Sequence, residues 1–280
     1  MVRTLFIDQP DDPRIVPYTQ IRERDLTGRG DRFIVEGKVT LEVLLRRGRF
    51  EIESLFLCET RLGPLAPLLA LVPDGVPIYT APQAVMDQVA GFPVHRGVLA
   101  CARKGAPLPL ERVVTEAASA RSPSGQPPEP VPVILVAIGL SNHDNVGALF
   151  RNAAGFGAGA VILDGESCDP LYRKAIRVSA GTCLWLPFVH GGTSGEILEA
   201  VRAAGFAPWA LTPNRGAISL YATAPTRPVA LIVGAEGPGL PDAVIGAAEP
   251  VRIPMAPDVD SLNVATSAAV ALSWLRNRAG

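Results

Sequence analysis

The sequence predicts an α/β protein in two parts, a small amino-terminal α/β domain and a carboxy-terminal domain built on a parallel sheet. Three observations predict it. From Val133 onward, short apolar runs alternate densely with segments of helical period, and a Pro-, Ser- and Gly-rich stretch, SARSPSGQPPEPVP, separates this region from a shorter alternating one. The chain has 280 residues of which 48% are hydrophobic, enough for two buried cores. The expected division is therefore 1–104, a linker over 105–132, and 133–280.

In the first part, Phe33-Ile34-Val35 reads as a strand, Gly37 to Arg47 as a helix and Ile52 to Leu57 as a second strand. Pro77-Ile78-Tyr79 and Gly97 to Cys101 are further strand candidates, with Ala81 to Val89 helical between them. In the second part, Val133 to Ile138 is a continuous apolar run between Pro132 and Gly139, as expected of a strand buried on both faces. A helix over Asn145 to Ala154, a strand at Ala160 to Leu163, a helix over Leu171 to Ser179 and a short strand at Leu184-Trp185-Leu186 follow. Next come a helix over Ser194 to Ala204, strands at Pro208 to Leu211, Val229 to Val233 and Val251 to Ile253, and helices over Asp242 to Ala247 and Asn263 to Arg276. Such alternation means parallel strands with helices on both faces, and ligands of such sheets bind beyond the carboxyl ends of the strands.

Composition excludes several function classes. Cys58, Cys101, Cys168 and Cys183 have no paired spacing and His95, His143 and His190 are scattered, so no metal is expected. No apolar run spans a bilayer, and the start MVRTLFIDQPDDPR is charged and interrupted by proline, unlike a signal peptide, so the chain is expected to be cytoplasmic. The net charge of −1 advertises no general affinity for nucleic acid. A local excess of basic residues lies between Ile21 and Phe50, where Arg22, Arg24, Arg29, Arg32, Lys38, Arg46, Arg47 and Arg49 outnumber the acids, and either a solvated face or an RNA contact fits it.

Three clusters fall at strand ends. The first is SNHDNVGALFR, Ser141 to Arg151, where Asn145 can cap a helix, Gly147 permits close backbone approach and Arg151 adds a guanidinium suited to a phosphate. The second is LIVGAEGPGL, Leu231 to Leu240. Its glycines do not fit the dinucleotide fingerprint and Pro238 opposes a helix there, which leaves a glycine-lined loop around Glu236 able to press against a flat ligand. The third is IPMAPDVDSLNVATSAAVALSW, Ile253 to Trp274, where Pro254 and Pro257 stiffen the approach to Ser261 and Asn263 at a helix entrance. Both residues fit a capping role and a place in a site.

Together the three clusters resemble the SpoU/TrmH family of SPOUT-class RNA ribose methyltransferases. The first motif, N-x-G-x-x-x-R, is matched by Asn145, Gly147 and Arg151, the second by VGAEGPG around Glu236, and the third by IPM and SLNVA between Ile253 and Ala265. The likeness covers Val133 to Trp274, while FIVEGKVTLEVLL and GVLA resemble the ribosomal-protein-like RNA-binding domain that often precedes the catalytic one. Where many relatives carry Asp-Pro before the first-motif Asn, this chain has Asn142-His143-Asp144, a departure that bears on the choice of RNA.

The resemblance implies a trefoil-knotted parallel-sheet fold, a homodimer, and methyl transfer from S-adenosyl-methionine to a ribose 2′-hydroxyl of structured RNA. Asn145, Arg151, Glu236, Ser261 and Asn263 are the implied catalytic-side residues, with Thr212, Gly234, Ile253 and Leu262 against the donor. An accompanying RNA-binding body favours ribosomal over transfer RNA as substrate. The alternative is a non-catalytic RNA-binding protein of the same fold, and the intact polar set argues against it. A small-molecule hydrolase is opposed by the lack of a G-x-S-x-G elbow.

Overall fold

Glycines and prolines punctuate many elements of the computed structural model, as where Gly37 follows Arg32–Glu36, Gly48 follows Lys38–Arg47 and Gly139 follows Val133–Ile138. The model describes residues 4–19, 21, 30–119 and 131–277. The chain divides into two units, Met1–Ala106 with Leu171–Trp185, and Pro107–Pro170 with Leu186–Gly280.

The first unit runs β1 (Thr4–Phe6), β2 (Arg32–Glu36), α1 (Lys38–Arg47), β3 (Ile52–Cys58), α2 (Leu62–Leu69), β4 (Ile78–Ala81), α3 (Gln83–Ala90) and β5 (Val98–Arg103). Its sheet order is β1-β4-β3-β5-β2, mixed in direction, with β3 parallel to β4 and antiparallel to β5. The edge strand β1 and the helix α2 carry no signal in the sequence pattern, since three residues are too few for a period and Pro67 sits inside α2. Tyr18, fully buried, ties the core together by donating its hydroxyl to the Ser54 carbonyl at 2.8 Å. Of the basic residues expected between Ile21 and Phe50, Arg22, Arg24 and Arg29 lie outside the described residues.

The second unit begins with a correction. The segment 105–132 is expected to be a linker, yet α4 (Leu110–Ala118) lies within it, and Val113, Val114 and Ala117 are buried in this unit's core. Apolar residues at 110, 113, 114 and 117 give α4 a helical stripe, which composition alone hides. Of the stretch SARSPSGQPPEPVP, residues 120–130 lie outside the described residues. The chain continues through β6 (Val133–Ile138), α5 (His143–Gly155), β7 (Val161–Leu163), α6 (Arg173–Val178), β8 (Phe188–His190) and α7 (Ser194–Ala203). It ends with β9 (Ala207–Leu211), β10 (Ile218–Ser219), β11 (Val229–Gly234), α8 (Asp242–Gly246), β12 (Glu249–Arg252) and α9 (Val264–Asn277).

The strand order is β10-β12-β9-β11-β6-β7-β8, with every pair parallel. This is the predicted sheet, and β6 and β11 at its centre are the runs whose residues are buried on both faces. The strand expected at Leu184-Trp185-Leu186 is absent. A 3-10 turn occupies Thr182–Leu184, and the strand starts after Pro187 as β8. Leu184 is buried for another reason: α6 and the turn belong to the first unit, where the Arg49 N–H donates to the Leu184 carbonyl at 3.3 Å. There Arg173 forms an ion pair with Glu36, both nearly buried, and the Arg47 guanidinium lies 3.7 Å from the Trp185 ring centroid.

Candidate functional site

Beyond the carboxyl ends of β9, β11 and β12 the second unit holds a cavity of about 560 Å³, the size of a small-molecule or cofactor site. Three chain segments form it. The loop after β9 contributes Leu211, Thr212 and Pro213, the loop after β11 runs from Gly234 to Leu240, and the approach to α9 contributes Ile253, Met255, Ser261, Leu262 and Asn263. Local chemistry explains each. Pro254 and Pro257 keep the strand from running directly into a helix, so residues 253–263 cross the cavity as an irregular loop.

After β11 the chain turns back on itself, with Ala235 bridging Gly239 and the Gly239 N–H donating to the Ala235 carbonyl at 3.1 Å. Gly234 is what permits this. A Cβ there would stand 2.5 Å from the Gly239 carbonyl carbon and the Leu240 nitrogen, inside any real contact, so the cavity wall at this point is bare backbone.

Asn263 joins the segments. Its Oδ1 accepts the backbone N–H groups of Ala265 at 2.9 Å and Thr266 at 3.3 Å, so it caps α9. Its Nδ2 donates to Glu236 Oε1 at 2.8 Å and to Asn145 Oδ1 at 3.0 Å. One amide therefore does two jobs, and the choice between cap and site dissolves for this residue. Ser261 lines the cavity but is not the cap.

The first cluster needs a correction too. Asn145 does not cap α5: the helix starts two residues earlier, and Asn142 caps it by accepting the Asp144 N–H at 2.8 Å. Asn145, 6% exposed, instead faces α9, as does Asn152, whose amide donates to the Ala265 carbonyl at 2.7 Å. Spacing by seven residues puts both on one helix face. Arg151, six residues after Asn145, is exposed, lies outside the cavity lining, and has no hydrogen bond or ion pair among the described residues.

Of the residues singled out in the sequence, Thr212, Gly234, Glu236, Ile253, Ser261, Leu262 and Asn263 therefore line one cavity, and Asn145 is bonded to its edge. Missed were Met255, Asp242 and Ser267, which also line it. Met255 was in view between the two prolines. Asp242 and Ser267 carry no local signal, because each sits where a surface helix residue is expected. No group of three or more His, Cys, Asp or Glu among the described residues is placed to hold a metal ion.

Residues 132–273 match the model of the SpoU rRNA methylase family. The chain belongs to that family. This SpoU methylase is 38% identical over 279 residues to an uncharacterised tRNA/rRNA methyltransferase of Mycobacterium bovis, covering 97% of the present chain and 91% of the relative. It is 30% identical to the 23S rRNA (guanosine-2′-O-)-methyltransferase RlmB of Pseudomonas putida over 85% of this chain and 93% of that one. Among solved structures, the SpoU methyltransferase AviRb from Streptomyces viridochromogenes in complex with AdoMet superposes with a TM-score of 0.73 at 25% identity, covering 91% of this chain and 93% of AviRb.

Proposed function

We propose that this SpoU methylase transfers a methyl group from S-adenosyl-methionine to a ribose 2′-hydroxyl of structured RNA, ribosomal RNA in preference to transfer RNA. The observation that carries the reading is the Asn263 amide, which links the Asn145 and Glu236 side chains at the edge of a cavity whose wall at Gly234 is bare backbone. The cavity fits the donor in size, and the close approach at Gly234 leaves the wall flat where an adenine can lie. Thr212, Gly234, Ile253 and Leu262 would hold it. When bound, the donor supplies a methyl group on a sulfonium, open to in-line displacement, so the protein's main task is alignment.

Each polar residue then has a part. Asn263 holds Glu236 and Asn145 at fixed separation, leaving the second Glu236 oxygen and the Asn145 amide hydrogens to meet the ribose, beside Ser261. The Arg151 guanidinium offers donors and no acceptor, so its role is to engage the neighbouring phosphate and stabilise the developing alkoxide. The trefoil knot and the homodimer follow from the family resemblance, with exposed Ile218, Tyr221, Val259 and Leu262 as apolar surface for a second copy. The first unit supplies RNA contacts, and the setting is cytoplasmic; none of the described helices is long and apolar enough to cross a membrane.

Isothermal calorimetry with S-adenosyl-methionine tests the reading. Saturable one-site binding is expected, and absence of binding overturns it. Mapping 2′-O-methyls lost from ribosomal and transfer RNA on deletion of the gene then identifies the target, and a loss confined to transfer RNA refutes the ribosomal preference.

A further inference from the structure

We infer that Asp164 is a positioning residue for methyl transfer: its buried carboxylate anchors the strand-end loop that delivers Asn145 to the site. The inference rests on the methyl-transfer reading above. Asp164 follows β7 directly and is 3% exposed, an unusual place for a carboxylate. Among the described residues it forms no ion pair. What compensates its burial is a set of donors from the neighbouring strand end and its own turn.

The Gly139 N–H, just past β6, donates to both oxygens, at 3.0 and 3.1 Å. Oδ1 also accepts the Ser167 N–H at 3.0 Å and the Ser167 hydroxyl at 2.6 Å. Ser167, 5% exposed, in turn accepts the Leu140 N–H at 3.0 Å through its hydroxyl oxygen. Consecutive amides of the loop, Gly139 and Leu140, are thus taken by Asp164 and by the serine it orients. Gly139 has φ of +67°, the left-handed region that glycine adopts without strain, and so redirects the chain as it leaves β6. The Cys168 N–H closes the turn on the Leu140 carbonyl at 2.8 Å. His190 Nε2 lies 2.7 Å from the Ser167 carbonyl, bracing the turn from β8.

From this anchor the route to the chemistry is short. Two residues after Leu140, Asn142 caps α5, and in the first turn of that helix Asn145 meets Asn263 at 3.0 Å. The donor cavity is built from other segments, 211–213, 233–245 and 253–267, and Asp164 and Ser167 are absent from its lining. Loosening the anchor therefore moves Asn145 against a donor site that stays intact. Misplacement of a catalytic group by about 1 Å can cost ~10²-fold in rate.

The test compares Asp164→Asn and Ser167→Ala with the parent protein by three measurements: thermal midpoint, S-adenosyl-methionine dissociation constant, and kcat and KM on RNA from a strain lacking the gene. Asp164→Asn presents an amide to the Gly139 N–H, and Ser167→Ala frees the Leu140 N–H while leaving the carboxylate in place. Expected for Asp164→Asn is a kcat loss of roughly 10- to 100-fold with donor affinity unchanged, and a smaller loss for Ser167→Ala. A kcat near the parent's in a variant whose thermal midpoint has dropped makes Asp164 a structural staple and overturns the inference. So does a parallel loss of donor affinity. Should Asp164→Asn not fold, Ser167→Ala decides alone, by the same split between kcat and donor affinity. Failure of the parent protein to bind the donor refutes the methyl-transfer reading instead, and is distinguishable from these outcomes.

Discussion

Replacing Asn263 by Asp separates the two jobs that one amide performs. The substitution keeps Oδ1, so the Ala265 and Thr266 N–H groups retain their acceptor and α9 its cap. It removes Nδ2, so the 2.8 Å bond to Glu236 becomes a carboxylate pair and the 3.0 Å bond to Asn145 becomes two facing oxygens. A hydrogen bond to a charged group is worth about 1.5–3 kcal/mol and a neutral one about 1, and the exposure of Glu236 puts its bond at the low end. Together these are about 2.5 kcal/mol, or roughly 50- to 100-fold if expressed in the transition state. Repulsion across the pair adds to this and is screened by salt. Asn263→Ala adds loss of the cap, about 1 kcal/mol, which lowers the thermal midpoint by about 2–4 °C in a domain of this size. Single-turnover methyl transfer and thermal melting on both variants give the answer. Turnover in Asn263→Asp within about twofold of the parent refutes the role assigned to Nδ2, and an unshifted midpoint in Asn263→Ala refutes the cap.

Arg151→Ala is expected to reduce transfer by ~10²-fold or more while leaving donor affinity intact, since Arg151 lies outside the cavity lining; near-normal turnover would remove it from the mechanism. In Gly234→Ala the new Cβ meets backbone at 2.5 Å, so the turn must open at a cost of about 1–3 kcal/mol, and calorimetry should show weakened donor binding with a lower thermal midpoint. Glu53 is held below the ordinary carboxylate range, chiefly by its hydrogen bond from Arg32, with burial opposing. A depressed folded value means its contribution is present above the ordinary range and lost as pH falls through the folded value, so Glu53→Gln should flatten the acid limb of the melting profile. Burial, with Glu53 close by, pushes the Cys101 thiol up to about 12, and in the folded protein it should resist iodoacetamide at neutral pH.

The legible parts of the fold are those whose burial is uniform. The strands β6 and β11 are apolar on both faces, so no partner has to be known to recognise them. Elements whose apolar residues pack against segments far along the chain are not legible in the same way. Leu184 is buried by the first unit and so mimics a strand, and α4 hides in a segment whose later residues are rich in proline. In the site, prolines 254 and 257 and the glycine at 234 announce an irregular, closely approached backbone, which is a local property. Asp164 announces nothing, because an aspartate after a strand is an ordinary turn residue until Gly139 is brought beside it.

By itself the sequence determined the alternating α/β pattern, the parallel sheet, the glycine turn around Glu236 and the polar entrance to α9, all consequences of side-chain period and backbone restriction over a few residues. Only the tertiary structure decided which of the candidate residues meet. Asn263 reaches Asn145 across 118 residues of chain, and α5 starts early enough to free Asn145 from capping because Asn142 takes that work. A side-chain hydrogen bond needs its partners within about 3 Å, and no local pattern specifies a distance between two strand ends that the sheet alone brings together.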